Sequence, residues 1–578
     1  MMTNQRQHSG RLDAAARSAA LEAMQSEELD ILVIGGGIVG VGAAMDAATR
    51  GLTVGLVEAR DYASGTSSES SKLVHGGIRY LEQLDFHLVQ EALTERGMLL
   101  QKLAPHLVKP IRFLYPVHHR IWERAYIGAG MMLYDLFSYT GLHRPGVPHH
   151  RHMSARQVRM AAPALREDVV IGGMYYYDGR VDDARYVVNL ARTAAHYGAH
   201  MANRASVEKF ITKGKAIVGA EVRDGLTGAT YTIKAKEIIN ATGVWTGLMQ
   251  ELASDEDDAL KVRASKGVHI LIPKKKFASN MGLILRTEKS VLFVIPWGRH
   301  WIVGTTDTDW QGDLAHPAAT SADIQYILDH LNAVVNEPVT QDDIEGVYVG
   351  LRPLLASKQV GTSKLSREHL VTRPKPGLTM IAGGKWTTYR VMAKDAVDAA
   401  VSMLPQEVPE SVTAHVPLLG ASGYKAAWNR RKIDAQDAGL SQAQYERLLN
   451  RFGSMAQDVL DLIAENPGWA QPLAGTEDYL EAEVVYAARF EGALHVEDVL
   501  CRRTRMTFEL RDSGEAAAPR VAALMATELG WDTRRRSAEV QNYLERIAAE
   551  RASHQLVTDD AANAARLTAP DISTVPAS

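Results

Sequence analysis

Apolar runs and periodic segments alternate in the first part of this chain. Residues 30–34 and 53–57 are short runs of branched apolar side chains, which predict two buried parallel strands. Between them, residues 41–50 are rich in alanine and predict a helix that Gly51 would end. Strand, helix and strand in this order predict a parallel α/β unit at the start of the fold.

Three glycines with dinucleotide-binding spacing directly follow the first predicted strand. Gly35 would allow a tight turn, Gly37 would let the backbone approach a pyrophosphate, and Gly40 would let helix and strand pack closely. The helix N-terminus would add N–H donors and a positive dipole end. Glu58 ends the second strand, where a carboxylate can accept from both hydroxyls of a ribose. The combination predicts a dinucleotide site.

Two later turns favour FAD over NAD. Residues 65–72 are rich in hydroxyl groups and include Ser71 and Lys72, which we expect to contact the cofactor. Thr242 and Gly243 end another apolar strand. Gly384 lies in a second glycine turn about 350 residues after the first, before a strongly periodic helix from residue 389 to residue 404. A cofactor long enough to be held at both ends of a domain would occupy both turns. Taken alone, each turn is also compatible with an ordinary loop.

The same patterns predict the organisation of the chain. We expect a flexible N-terminal segment over residues 1–27, polar at first and then an alanine-rich helix. An α/β oxidoreductase domain follows over residues 28–405, in which a Rossmann-like FAD-binding part carries an inserted β-rich substrate part at residues 263–312. An all-helical domain over residues 406–551 and a disordered tail over residues 552–578 complete the prediction.

Composition excludes several classes of function. The net charge of −4 offers no basic field for nucleic acid. A single cysteine, Cys501, rules out an internal disulfide and a cysteine-based metal cluster, and the scattered histidines predict no metal site. A secretory signal and a membrane-spanning run are both missing from the pattern, which favours a cytoplasmic protein.

Five long motifs are similar to those of one family, the aerobic FAD-dependent glycerol-3-phosphate dehydrogenases. They lie at residues 70–82, 304–307, 351–354, 383–390 and 497–505. The resemblance covers about residues 28–545. It implies oxidation of sn-glycerol 3-phosphate to dihydroxyacetone phosphate by hydride transfer to flavin N5, with electrons passed to a quinone or another acceptor. We expect FAD to be bound non-covalently, although His75 is close to the flavin motif and some flavoenzymes attach FAD to histidine.

The resemblance also implies substrate contacts at six positions. These are Arg79, Tyr80, His269, Arg352, Arg367 and Lys385. Arg352 stands between Leu351 and Pro353, where a charged group is costly without an anionic partner, so we assign it to the phosphate. Only the resemblance raises Arg367 above an ordinary surface arginine, as a second phosphate cation.

The remaining candidates differ in role. His269 shares a strand face with Gly267 and Leu271 and is the candidate general base, although a lone strand histidine is more often a core residue. Lys385 could stabilise negative charge on substrate or flavin, or could bind phosphate. Arg79 and Tyr80 follow two glycines that would allow close approach to the flavin, but they are equally compatible with an ion pair and a core side chain.

Residues 102–151 suggest a surface role. Seven lysines or arginines alternate there with aromatic residues and methionines, and the segment has only two acids. We expect either peripheral docking on anionic lipid, close to a quinone, or a packed helix pair with a solvated basic side. Rival functions are an oxygen-using glycerol-3-phosphate oxidase, an amino-acid or amine oxidase, and a flavin-bearing protein that acts on RNA. A homodimer is left open.

Overall fold

The computed structural model describes residues 10–77, 85–117, 119, 122–139, 146–253, 262–287, 291–355, 369–569 and 571. Its helices are α1 (Ala14–Ser26), α2 (Ile38–Thr49), α3 (Phe86–Met98), α4 (Trp122–Ser138), α5 (Ala155–Ala161), α6 (Asp183–His196), α7 (Thr246–Ala253), α8 (Ser321–Asn332), α9 (Tyr389–Val401), α10 (Tyr424–Asp437), α11 (Gln442–Phe452), α12 (Ala456–Glu465), α13 (Glu481–Phe490), α14 (Met506–Glu509), α15 (Ala518–Leu529), α16 (Thr533–Ser553) and α17 (Asp559–Arg566).

The strands fall into two large sheets. They are β1 (Leu29–Ile34), β2 (Val54–Val57), β3 (Leu73–Val74), β4 (Val108–Val117), β5 (Arg151–Ser154), β6 (Gly172–Val181), β7 (His200–Ala202), β8 (Ala205–Lys213), β9 (Ala216–Asp224), β10 (Thr230–Asn240), β11 (Val262–Pro273), β12 (Gly282–Arg286), β13 (Val291–Trp297), β14 (His300–Gly304), β15 (Thr308–Asp309), β16 (Gly346–Leu355), β17 (His369–Lys375) and β18 (Leu378–Gly383).

The first sheet carries the predicted α/β unit. Its path is β17-β18-β10-β1-β2-β7, and the pairs β18–β10, β10–β1, β1–β2 and β2–β7 are parallel. All six residues of β1 are buried, as expected for a strand covered on both faces. Helices α2, α6 and α9 pack together on this sheet. Because β1, β10 and β18 are parallel, their carboxyl ends open on the same side.

The second sheet takes strands from more of the chain than the expected insertion at residues 263–312. Its path is β15-β11-β14-β13-β12-β4-β6-β3, with β16 added to β11 and β5 added to β6. Strands β4 and β6, from well before residue 263, pair over ten positions. Strand β16, from after residue 312, pairs with β11 over ten positions. The substrate part is therefore assembled from three separated stretches, a property of long-range pairing that local pattern does not reveal.

The C-terminal helices form a core of their own. Helices α10 to α16 bury a set of side chains that is separate from the cores of the two sheets. Buried ion pairs attach this domain to the first sheet: Arg502 and Arg503 both bind Asp61, and Arg505 binds Asp182 and Asp183. Arg502 and Arg503 are the last residues of a π-helical turn at Asp498–Arg503, and Arg505 follows it.

The structure corrects the expectation of flexible ends wherever it describes them. Helix α1 buries Leu21 and Met24 completely, and its Arg17 forms a buried ion pair with Asp224. After residue 552, α17 lies against the second sheet and fully buries Ala562. Small and polar composition suggested disorder at both ends, but alanine-rich helices pack closely wherever a neighbouring surface is available.

Candidate active site

A cavity of about 490 Å³ lies between the two sheets. The glycine turn after β1, Glu58 after β2 and the turn after β10 line one part of it. The turn after β18 and the facing strands β11 and β16 line the rest. Ligands in parallel α/β sheets bind outside the carboxyl ends of the strands, which is where this cavity opens.

The first glycine turn has the predicted close packing. Gly35 has φ +112°, and a Cβ there would lie 2.7 Å from the Ala241 carbonyl oxygen. A Cβ on Gly40 would lie 2.0 Å from the Gly35 carbonyl oxygen, so only glycine allows α2 to begin so close to β1. Gly35 and Gly37 line the cavity, while Gly40 serves the packing behind it. The turn thus exposes backbone rather than side chains to the cavity.

Glu58 is anchored at the same end of the cavity. One of its carboxylate oxygens accepts from Gly36 N at 2.6 Å, and the other accepts from Arg60 N at 2.7 Å. Burial raises the pKa of Glu58, and the two backbone N–H groups partly offset this by favouring the charged form. Each oxygen keeps a further lone pair, so the carboxylate can also accept from a ribose diol.

The hydroxyl-rich loop contacts the glycine turn through a residue that the sequence did not single out. Ser67 Oγ accepts from Ile38 N at 2.9 Å, at the N-terminus of α2. Ser71 lines the cavity as predicted, and its Oγ lies 2.9 Å from His269 Nε2. The loop therefore joins the dinucleotide end of the cavity to the substrate end.

The prediction that Lys72 contacts the cofactor is wrong for its side chain. The Lys72 ammonium is fully buried, donates to Ser68 O at 2.9 Å and lies 3.1 Å from the Asp183 carboxylate. It does not line the cavity. In sequence, a lysine in a polar loop looks like a phosphate-binding residue. In the structure, the buried carboxylate of Asp183, at the start of α6, holds the Lys72 ammonium away from the cavity.

The second glycine turn, after β18, lines another part of the same cavity. Gly383 and Gly384 have φ values of +81° and +82°, a left-handed pair that glycine adopts readily. A Cβ on Gly384 would lie 2.4 Å from Met392 Sδ. Thr242, Gly243, Gly384 and Lys385 all line the cavity as predicted.

These features fit FAD. Two glycine turns, after β1 and after β18, line one large cavity, which suits a cofactor with a dinucleotide half and a second large ring system. Glu58 lines the same cavity beside the first turn, where it could accept from a ribose. When bound, FAD would be held by Gly35, Gly37, Glu58, Ser71 and the turns at 242–243 and 383–384.

Strands β11 and β16 present a common face to the cavity. They are antiparallel, and their register places Ser265 opposite Arg352, Gly267 opposite Gly350 and His269 opposite Tyr348. Since side chains alternate along a strand, these six residues lie on one surface. The two central glycines let neighbouring groups pack closely between His269 at one end and Arg352 at the other. A Cβ on Gly267 would lie 2.5 Å from Arg352 Nη2, and a Cβ on Gly350 would lie 2.3 Å from the Glu69 carbonyl oxygen.

His269 is the buried imidazole of this face. Its ring stacks on Tyr348, with centroids 4.6 Å apart and planes at 9°. Burial, and then the positive charges of Arg352 and Lys72, hold the pKa of His269 well below its ordinary value. The imidazole is therefore neutral near pH 7, the state that a general base requires.

Arg352 is oriented by its neighbours on the same face. Its guanidinium donates to Thr305 Oγ1 at 3.0 Å and to Thr306 O at 3.2 Å, and it lies 3.7 Å from the Asp307 carboxylate. About a fifth of the side chain stays exposed, and it lines the cavity. A guanidinium held in this orientation on a cavity wall is suited to binding an anion.

The structure brings most of the predicted site together. His269, Arg352 and Lys385 line one cavity with the cofactor-binding turns. The predicted substrate contacts Arg79, Tyr80 and Arg367 lie outside the residues that the structure describes, so their roles stay predictions.

Some residues on or beside the cavity wall were not predicted. Tyr348 lies four residues before Arg352 on the same strand, so a two-residue period could have placed it on that face. Trp245, Arg60 and Trp386 line the cavity from turns, where no periodicity points to them. Their positions depend on which loops meet in three dimensions.

The fold and cavity define the class as an FAD-binding oxidoreductase. A family model described as FAD dependent oxidoreductase matches residues 30–390, and the model of the C-terminal domain of alpha-glycerophosphate oxidase matches residues 411–536. The chain is 50% identical to glycerol-3-phosphate dehydrogenase 2 of Mycobacterium tuberculosis, covering 97% of this chain and 95% of that one. It is 37% identical to the human mitochondrial glycerol-3-phosphate dehydrogenase, covering 91% of this chain and 74% of the human protein.

Solved structures agree with this assignment. The glycerol-3-phosphate dehydrogenase of Bacillus halodurans, complexed with FAD, superposes with a TM-score of 0.76 at 30% identity, covering 92% of this chain and 97% of that chain. An L-alpha-glycerophosphate oxidase of Mycoplasma pneumoniae shares the fold at 17% identity, with a TM-score of 0.53, over 68% of this chain and 99% of its own. The chain belongs to the glycerol-3-phosphate dehydrogenase family of FAD-dependent oxidoreductases.

Proposed function

We propose that this chain oxidises sn-glycerol 3-phosphate to dihydroxyacetone phosphate and passes the electrons to a membrane quinone. The observation that carries the proposal is the common face of β11 and β16, where a neutral imidazole and an oriented guanidinium stand on one cavity wall with two glycines between them. The substrate has a secondary alcohol at its central carbon and a phosphate on the neighbouring carbon, and these suit the imidazole and the guanidinium respectively.

Each residue on this face has a defined task. Arg352 binds the phosphate through forked charge-assisted hydrogen bonds. His269 takes up the hydroxyl proton at Nε2, displacing the Ser71 hydroxyl that contacts this atom at 2.9 Å. FAD, when bound, supplies the acceptor for the hydride. Lys385, on the glycine turn after β18, stabilises negative charge as the alcohol loses its proton.

The direct test is anaerobic reduction of the purified protein's flavin. We expect sn-glycerol 3-phosphate to bleach the flavin absorbance and yield stoichiometric dihydroxyacetone phosphate. Glycerol at the same low concentration, and D-amino acids at any concentration, should leave the flavin oxidised over the same time. Reduction by an amino acid, with none by glycerol 3-phosphate, would establish the amino-acid oxidase alternative. Fast peroxide formation in air without an added acceptor would instead identify a glycerol-3-phosphate oxidase.

We expect the FAD to be non-covalent. The flavin cavity includes His75, whose backbone N–H donates to Thr387 Oγ1 at 3.1 Å. Acid precipitation should release all of the yellow colour into the supernatant. Colour that stays in the pellet would overturn this expectation.

Helix α4 supports attachment to the cytoplasmic face of a membrane. Its solvent side carries Trp122, Tyr126, Met132 and Leu136, which are 54–63% exposed at helical spacing. Among the described residues, none of the helices is both long and apolar enough to span a bilayer. An exposed apolar stripe in a segment with seven basic residues and two acids is suited to an anionic lipid surface.

Vesicle sedimentation tests this attachment. The protein should sediment with vesicles that contain phosphatidylglycerol, and high salt should release part of it. Replacing Met132 and Leu136 with glutamate should abolish binding. Met160→Glu, at an equally exposed methionine on α5, is the matched control and should bind as the parent does. Equal sedimentation of all variants, or none by the parent, would exclude this surface.

A further inference from the structure

The chain after α16 forms a strap across the outside of the flavin cavity. We use the word strap for residues 554–569 and 571. Leu556 O accepts from Ser321 N at 2.8 Å, at the start of α8. Asp559 binds the ammonium of Lys266, which is buried in β11 and also binds Asp323. These contacts attach the strap to the substrate sheet.

The strap has an apolar contact beside the cofactor turn. Ala562 is fully buried and packs in a cluster with Val244, Trp310 and Leu351. Val244 directly follows Gly243, and both residues line the flavin cavity. The strap therefore packs behind part of the cavity wall.

A short loop between strap and cavity depends on the strap for one of its bonds. We call residues 310–316 the wall loop. Inside it, Asp313 Oδ1 accepts from Ala315 N at 3.0 Å and from His316 N at 2.7 Å. Asp313 N donates outward to Asn563 Oδ1 at 2.9 Å. A Cβ on Gly312 would lie 2.8 Å from that same oxygen, so the loop and the strap are in close contact.

The strap also reaches Arg60, which stands next to Glu58. Arg60 Nη1 donates to Ala315 O at 3.2 Å, and Nη2 lies 3.3 Å from His316 Nε2. Asp571 lies 3.2 Å from His316 Nε2 and 3.5 Å from Arg60. Arg60 and Ala315 both line the cavity at the end where Glu58 would hold a ribose. Two wall residues are thus braced from outside.

We infer that the strap retains FAD by bracing the wall of the cavity at its adenosine end. The wall loop is anchored at its start, where Trp310 N donates to Ala264 O at 3.0 Å, but the internal bonds of residues 313–316 are short-range. The position of residues 313–316 therefore depends on what packs behind them. With Asn563 and Asp571 in place, Ala315 and Arg60 close the cavity beside Glu58. Without them, the loop opens more often and FAD leaves faster.

The test measures FAD release directly. The protein is loaded with FAD and mixed with an excess of an apo-flavoprotein that captures free FAD, and the change in flavin fluorescence gives the release rate. We expect the double variant Asn563→Ala, Asp571→Ala to release FAD about tenfold faster than the parent. Each lost hydrogen bond should raise the release rate by roughly threefold. Deletion of residues 559–578 should accelerate release further.

Two controls separate retention from general stability. Asp560→Ala is the matched variant, because Asp560 is an exposed aspartate beside Asp559 and should release FAD at the parent rate. Thermal unfolding of each apo protein shows whether the fold is intact. Release at the parent rate in the double variant would overturn the inference. So would faster release that is accompanied by an equal loss of apo stability, which would indicate a purely structural role.

Discussion

Replacing Arg352 with alanine tests the assignment of the phosphate site. The guanidinium stands at one end of the β11–β16 face and is oriented by Thr305, Thr306 and Asp307. Its removal takes away the forked cation and leaves the imidazole end of the face unchanged. We expect the variant to keep its FAD, because the guanidinium of Arg352 bonds to Ser265, Thr305 and Thr306, at the substrate end of the cavity.

The size of the effect follows from the geometry. Arg352 donates to Ser265, Thr305 and Thr306, and we expect its guanidinium to make about two charge-assisted bonds to phosphate when the substrate binds. Each is worth about 1.5–3 kcal/mol, and the partial exposure of the side chain favours the low end. A loss of about 3–4 kcal/mol corresponds to roughly a 10²–10³-fold fall in kcat/KM.

A dye-linked assay separates binding from chemistry. If Arg352 holds the phosphate equally in the ground and transition states, KM rises and kcat changes little. Arg352→Lys keeps the charge without the fork and should recover only part of the loss. Arg263→Ala is a matched control on β11, since Arg263 is 40% exposed and its partner Asp309 lies 2.9 Å away, outside the cavity.

A dephosphorylated substrate gives the decisive comparison. At high concentration, glycerol should reduce the flavin of the parent and of Arg352→Ala at similar slow rates, because it has no phosphate to lose. A KM for glycerol 3-phosphate that barely changes in the variant would refute the phosphate assignment. A loss confined to kcat would instead indicate that Arg352 stabilises the transition state and contributes little to substrate binding.

Three further predictions concern the base, the cofactor and the pH dependence of stability. His269→Gln should lower the rate of flavin reduction by about 10²–10⁴-fold. In the parent, the rate should show no inflection from His269 above pH 6.5, because the lowered pKa of His269 keeps the ring neutral there. Stopped-flow measurements of flavin reduction against pH check both expectations. Glu58→Gln should weaken FAD binding by about tenfold in a fluorescence titration, since a carboxylate accepts more strongly than an amide. Burial would raise the pKa of Glu497, but Arg502 and other cations lower it to about 2. Its charge thus stabilises the fold above pH 4.5, and this contribution is lost as the pH falls towards 2, so Glu497→Gln should cost stability to urea at pH 7 and progressively less below pH 4.5.

The cofactor end of the site was predictable because its signals are local. The glycine spacing, the strand before it and Glu58 lie within 30 residues, and a helix N-terminus next to a strand end has few alternative uses. The helix from Tyr389 was equally clear, since its apolar positions repeat at 3.6 residues and are buried as expected.

Lys72 marks the limit of that approach. Its loop lines the cavity, but the direction of its side chain depends on Asp183, 111 residues away. The extent of the substrate sheet was underestimated for the same reason, because β4, β6 and β16 join it through distant pairing.

The sequence by itself determined the dinucleotide turn, the acidic residue at its ribose end and the order of the first strands and helix, because these depend on backbone sterics and short-range periodicity. Only the tertiary structure decided which residues share the common face of β11 and β16. The antiparallel register of β11 and β16 sets His269 against Tyr348 and Ser265 against Arg352, and a shift of one residue would turn every one of these side chains away from the cavity.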